Sequence, residues 1–214
     1  MFGIHDLPLF IAAGLLLNIT PGPDMLYIAG RTASQGFRSG LAAVMGINAG
    51  CLVHSLAGAI GLSAILTASA EAFLIVKLVG AAYLVYVGIS LLLEKQRDNA
   101  TLEISSNLPL KSTRQAFWQG FFTNVLNPKV ALFFLAFLPQ FISADSDAKP
   151  AAFVLLGVIF IVNSLIVTIT FATLVAHART RFRGSSRIAL WLNRSCGALF
   201  VAIGVKLALT EKPI

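Results

Sequence analysis

The chain has 214 residues, 57% of them apolar and only 12% charged, with a formal net charge of +7. Soluble domains run to about 45–50% apolar and about 25% charged residues. This chain carries too little charge to cover a water-soluble globule and reads as a polytopic membrane protein. Its basic residues sit in short connectors between long apolar runs, which excludes the continuous solvated basic face that a nucleic-acid binder needs.

Crossing ~30 Å of hydrocarbon takes about 20 apolar residues in a helix. Six stretches reach that length, at about 7–30, 40–66, 70–93, 116–142, 151–177 and 189–209. The expected fold is all-α, a single multi-pass transmembrane domain over residues 1–214 with no soluble domain beside it. The first stretch reads as a membrane helix rather than a cleaved signal. No Lys or Arg precedes it, and it runs through Pro21-Gly22-Pro23 without a small-x-small site.

Within that stretch, Thr20-Pro21-Gly22-Pro23-Asp24 removes two backbone donors and adds a glycine, so an unbroken hydrogen-bond ladder is not expected. Asn127-Pro128 interrupts the fourth stretch in the same way. Backbone groups freed at a break cannot face lipid, where each costs several kcal/mol, so they face protein or a wet cavity. Packed kinks satisfied by Asn18 and Asn124 are one reading, and a substrate site is the other. The recurrence of an asparagine-flanked proline break in both halves favours the site.

Its candidate members are Asn18, Thr20, Pro21, Gly22, Pro23, Asp24, Asn124, Asn127, Pro128 and Lys129. A charge deep in a membrane costs at least ~2.5–3.5 kcal/mol on insertion scales, so Asp24 and Lys129 are expected to pair or to line water. At about 1.5 Å of rise per residue, Asn18, Asn127 and Lys129 fall near the midplane, with Asp24 towards the cytoplasmic side.

In the second stretch His54 extends a four-residue ladder of Ala42, Gly46, Gly50 and Gly58, a spacing of small residues that lets helices approach closely. His54 therefore reads as a hydrogen-bonded interfacial histidine or, after Asp24, as a second proton-coupling candidate. Asn48 and Asn163 are secondary cavity candidates. Lys77 and Lys206 lie within a few turns of the outer surface and are expected to snorkel, and Arg194 to anchor the sixth span.

The connectors after spans one, three and five hold Arg31 and Arg38; Lys95, Arg97, Lys111 and Arg114; and Arg179, Arg181, Arg183 and Arg187. The opposite side holds only Lys149 and Lys212. By the positive-inside rule the first set is cytoplasmic and both termini lie outside.

The halves also share a pattern. Gly14-Leu-Leu-Leu-Asn18-Ile-Thr20-Pro21 is matched by Gly120-Phe-Phe-Thr-Asn124-Val-Leu-Asn127-Pro128. Gly80-Ala-Ala-Tyr83 with Val87-Gly88 is matched by Gly197-Ala-Leu-Phe200 with Ile203-Gly204. Three spans per half make the copies inverted: repeat one at about 1–98, repeat two at about 112–210. Inverted repeats recur in secondary transporters, with the substrate site at their interface.

The motif Asn18-Ile-Thr-Pro-Gly-Pro-Asp24 together with Asn124-Val-Leu-Asn-Pro-Lys129 resembles the LysE/RhtB family of bacterial amino-acid exporters, and the similarity extends over essentially the whole chain. The resemblance implies a multi-pass exporter in the bacterial inner membrane that moves a small amino-acid substrate, driven by protons. It leaves open which amino acid is moved and whether copies form a homo-oligomer. No catalytic role, metal or cofactor is expected, and ATP drive would need a partner subunit because no nucleotide-binding loop is present. The competing readings are an exporter of another small solute or cation and a membrane thiol–disulfide relay through Cys51 and Cys196. The first would need more carboxylate, His or Cys ligands in the spans if its cargo were a metal.

Overall fold

The computed structural model describes residues 2–68, 112–143 and 146–177, with isolated helical positions between 78 and 93 and between 194 and 209. Among the described residues the chain is helical, without a β-strand. Helices α1 (Leu7–Ile19), α2 (Pro23–Gln35) and α3 (Phe37–Ala68) are followed by α4 (Thr113–Val125), α5 (Pro128–Leu132) and α6 (Lys149–His177). α5 continues through a π-helical turn, Phe133–Phe137, and a 3-10 turn, Leu138–Phe141.

Two segments, Phe37–Gly61 and Lys149–His177, are long and apolar enough to cross a membrane on their own. Two further helix pairs reach that length and apolarity only together, and each is bent. α1 and α2 meet at 52°, and α4 meets the arm Pro128–Phe141 at 50°. Both bends fall at the prolines expected to break the first and fourth stretches. The expected third span and sixth span lie largely outside the described residues.

The connector expected after the first span is Gly36 alone, in the left-handed region at φ +84°. The orientation count took Arg31 for a loop residue. It lies instead inside α2 and is 1% exposed, while Arg38 is exposed in the first turn of α3. A guanidinium three to four residues along from Tyr27 and Ile28 shares their helix face, and that face packs inward.

Packing is closest between α3 and α4. A side chain at Gly46 would run into the Phe117 carbonyl, and one at Gly120 would sit 2.6 Å from the Ala43 carbonyl oxygen. The ladder of small residues does serve helix contact, although its last member, Gly58, faces Phe153 of α6. On the other side of the molecule Phe10 of α1 packs against Phe133, Phe137 and Phe141, with Phe160 of α6 completing the cluster. The outward face of α6 carries Val154, Val158, Val162 and Ile166, as a lipid-facing helix would.

A clasp of main-chain contacts joins residues 2–5 to 141–146. Ile4 bridges Ile142, His5 N–H donates to the Phe141 carbonyl (3.1 Å), and Ser143 and Ser146 hydroxyls donate to the Gly3 and Phe2 carbonyls (both 2.9 Å).

The isolated positions add one crossing. A side chain at Gly88 would sit 2.6 Å from the Gly197 carbonyl oxygen, and one at Gly204 would sit 2.8 Å from that of Ala81. These described positions meet with their residue order reversed, and the two contacts exchange the half-chains to within one residue.

Candidate functional site

A helix carbonyl normally accepts from the amide four residues on. For Leu17 that residue is Pro21, which has no N–H. The Leu17 carbonyl takes the Lys129 ammonium instead (Nζ to O 2.8 Å), and Lys129 also donates to the Thr20 carbonyl at 3.1 Å. Thr20 turns extended (φ −64°, ψ 124°), its hydroxyl donating back to Leu16 O, and the chain restarts a helix at Pro23.

The second break repeats the problem. The amide four residues beyond Asn124 would be that of Pro128. The Asn124 carbonyl accepts instead from His54 Nε2 at 3.1 Å and from the Asn127 N–H at 2.9 Å. Asn127 then caps the restarted helix, its Oδ1 accepting from the Lys129 N–H.

The side chains interlock across the breaks. Asp24 Oδ2 accepts from Asn124 Nδ2 (2.9 Å) and Asn127 Nδ2 (3.1 Å), while Lys129 reaches back to the first break. Between them lies an internal space of about 30 Å3, room for one or two waters. Leu17, Asn18, Thr20, Gly22, Asp24, Asn124, Asn127 and Lys129 line it from the breaks, with Ile47 and Cys51 of α3 and Ser164 and Thr168 of α6 opposite.

Three polar atoms of the lining are buried without a hydrogen-bond partner among the described residues: Asn18 Nδ2, Asp24 Oδ1 and Asn124 Oδ1. Asn124 keeps its oxygen off Asp24, because its nitrogen is engaged with an oxygen-only carboxylate. The space therefore offers one unused donor and two unused acceptors beside a fixed ammonium.

The structure thus brings together Asn18, Thr20, Gly22, Asp24, Asn124, Asn127 and Lys129. Pro21, Pro23 and Pro128 shape the breaks without appearing in the lining, and Pro23 and Pro128 open α2 and α5. His54 stands behind the lining, capping Asn124 and stacked on Phe134 at 6.0 Å. Asn48 and Asn163 are also outside the lining. Asn48 is buried and donates to the Val44 carbonyl. Ser164, Thr168 and Ile47 escaped the sequence reading, and Cys51 was read only as a relay thiol. Four-residue spacing, 164 to 168 on one helix and 47 to 51 on the other, is the signal that points to them. Cys51 is a buried free thiol, and Cys196 lies outside the described residues. No cluster of metal-ligating side chains occurs among the described residues.

On the far side of the cavity from the aromatic cluster, α2 and α4 are joined by polar contacts. The Tyr27 hydroxyl donates to the Ala116 carbonyl (3.0 Å), and Arg31 donates to Gln35 (2.7 Å) and Gln119 (3.3 Å).

Helices long and apolar enough to cross a membrane, with two bent pairs around a buried polar space, suit a membrane transport protein. The chain belongs to the LysE type translocator family, whose model matches residues 15–211. Among its relatives, a homoserine/homoserine lactone efflux protein of Salmonella typhimurium is 29% identical over 93% of this chain and 94% of its own length. A threonine efflux protein of Escherichia coli K12 is 27% identical over 90% and 92%. An uncharacterized membrane protein of Pseudomonas aeruginosa is 31% identical over 96% of each chain. No solved structure matches.

Proposed function

We propose that this protein exports amino acids across the bacterial inner membrane by proton antiport, with the interlocked breaks as its binding site. The single observation that carries this is the set of unused atoms in the cavity. An α-amino acid brings an acceptor-only carboxylate and a donor-only ammonium. Asn18 Nδ2 and Lys129 suit the first, while Asp24 Oδ1 and Asn124 Oδ1 suit the second. The efflux relatives, named for homoserine and threonine, support amino acids as the class.

Transport then follows alternating access between two inverted repeats of three spans each, residues of about 1–98 and 112–210. The reciprocal Gly88 and Gly204 contacts and the mutual capping of the breaks support that symmetry. The space of about 30 Å3 is too small for an amino acid, so substrate entry requires it to widen. Loading requires one flank to part: the polar α2–α4 contacts on the side we assign to the cytoplasm, or the aromatic cluster on the side we assign to the exterior, where both termini lie. Asp24 is the proton site, since a proton and a substrate ammonium compete for the same oxygen, and His54 is second in line. One charge moved through 100 mV contributes about 2.3 kcal/mol, roughly a fiftyfold gradient at about 1.4 kcal/mol per tenfold.

The test is export of radiolabelled L-threonine and L-homoserine from loaded proteoliposomes with an imposed proton gradient. Gradient-dependent efflux that Lys129→Ala abolishes is the expected result. Parental rates in that variant remove Lys129 from the mechanism. Efflux of neither substrate, with accumulation of another solute in a resistance screen, replaces the amino-acid reading by that of a different cargo.

A further inference from the structure

The groups that suit the common part of an amino acid all come from the breaks. The opposite wall is built by α3 and α6, and it is there that one substrate would be told from another. α6 is strongly apolar, yet it turns Ser164 and Thr168 inward, 2% and 4% exposed. One turn earlier on the same face stands Phe160, inside the aromatic cluster, and one turn later Ala172, inside a second apolar core. The face is polar only at the depth of the cavity. Thr168 Oγ1 donates to the Ser164 carbonyl at 2.6 Å, which fixes its proton and leaves its oxygen as an acceptor. Thr170 and Thr173 make the same back-bond on exposed faces of the helix, so back-bonding explains how α6 tolerates a hydroxyl and not why two of them line the space. Asn124, 1% exposed, also lines this space, with its oxygen beside Gly50 of α3.

We propose that Ser164 and Thr168 determine specificity, forming with Ile47 and Cys51 a subsite for a short side chain that bears a hydroxyl. This rests on the reading of the cavity as an amino-acid site. A side-chain hydroxyl donates to Thr168 Oγ1 and finds Ser164 one turn away, while Ile47 and Cys51 close the wall against longer groups. A methyl in place of that hydroxyl leaves the Thr168 oxygen buried without a donor. Sites built to bind a hydroxyl reject the analogue that lacks it far more strongly than apolar pockets sort shapes.

L-Threonine and L-valine, which differ by a hydroxyl in place of a methyl, are the probes, and kcat/KM for each is measured with the full chain in proteoliposomes. The wild type is expected to favour threonine by about tenfold or more, the size of one buried hydrogen bond. Ser164→Ala combined with Thr168→Val is expected to bring the ratio near one by loss on threonine alone, and Thr168→Ser to restore it. A ratio unchanged in the double variant, or equal losses on both substrates, overturns the subsite. Equal transport of both by the wild type overturns the subsite and leaves the amino-acid site standing. Transport of no amino acid by the wild type overturns both. If the variants reconstitute poorly, alkylation of Cys51 in Cys196→Ser protein gives a second readout. Stronger protection by threonine than by valine supports the subsite, and equal protection overturns it.

Discussion

At the first break the orphaned Leu17 carbonyl is met by an ammonium that lines the cavity, and at the second the Asn124 carbonyl is met by an imidazole that stands behind it. Proline removes the same donor in both places; a side chain from another helix answers each time, joined at the second break by the Asn127 N–H. The difference separates two jobs. A cap facing the cavity is available to a solute, and under the proposed function a substrate carboxylate would draw Lys129 from the carbonyls it holds. A cap behind the wall only holds the break in shape.

The sharpest way to break this comparison is to remove each cap. Lys129→Met leaves the Leu17 and Thr20 carbonyls without their charged donor, and transport is expected to fall on the order of 100-fold, since bonds to a charged group are worth ~1.5–3 kcal/mol each. Proteoliposome efflux measures it, and a loss below tenfold would place Lys129 with His54 as a holding cap. His54→Leu is expected to cost ~1–3 kcal/mol of stability, read as a lower melting temperature in detergent. KM should not move in that variant; a changed KM would put His54 in the site. Pro21→Ala returns an amide to Leu17 and frees Lys129, so KM should shift severalfold, whereas Pro128→Ala at the other break should leave KM unchanged. Smallest is Tyr27→Phe, which deletes one hydrogen bond between α2 and α4 and should lower stability by ~1 kcal/mol.

The breaks were legible because proline and charge are local signals: Pro21, Pro23, Pro128, Asp24 and Lys129 announce themselves inside apolar runs whatever they pack against. Arg31 misleads for the same reason. A basic residue near a helix end reads as a connector, and only the tight turn at Gly36 reveals that α2 continues past it. Ser164 and Thr168 are harder still. A single hydroxyl in an apolar helix has no preferred side until neighbours fix the rotation of that helix. Here Phe160 meeting the aromatic cluster does so.

The clasp between residues 2–5 and 141–146 fastens α1 and the arm Pro128–Phe141 at their ends remote from the breaks. Two half-helices fastened at the tip and joined again through Lys129 form a closed frame, like the rails of a ladder with rungs at both ends. Under the proposed transport cycle, the aromatic flank parts only if that fastening is released, whereas the α2–α4 flank parts with the frame intact, bending at residues 20–22 and 126–127.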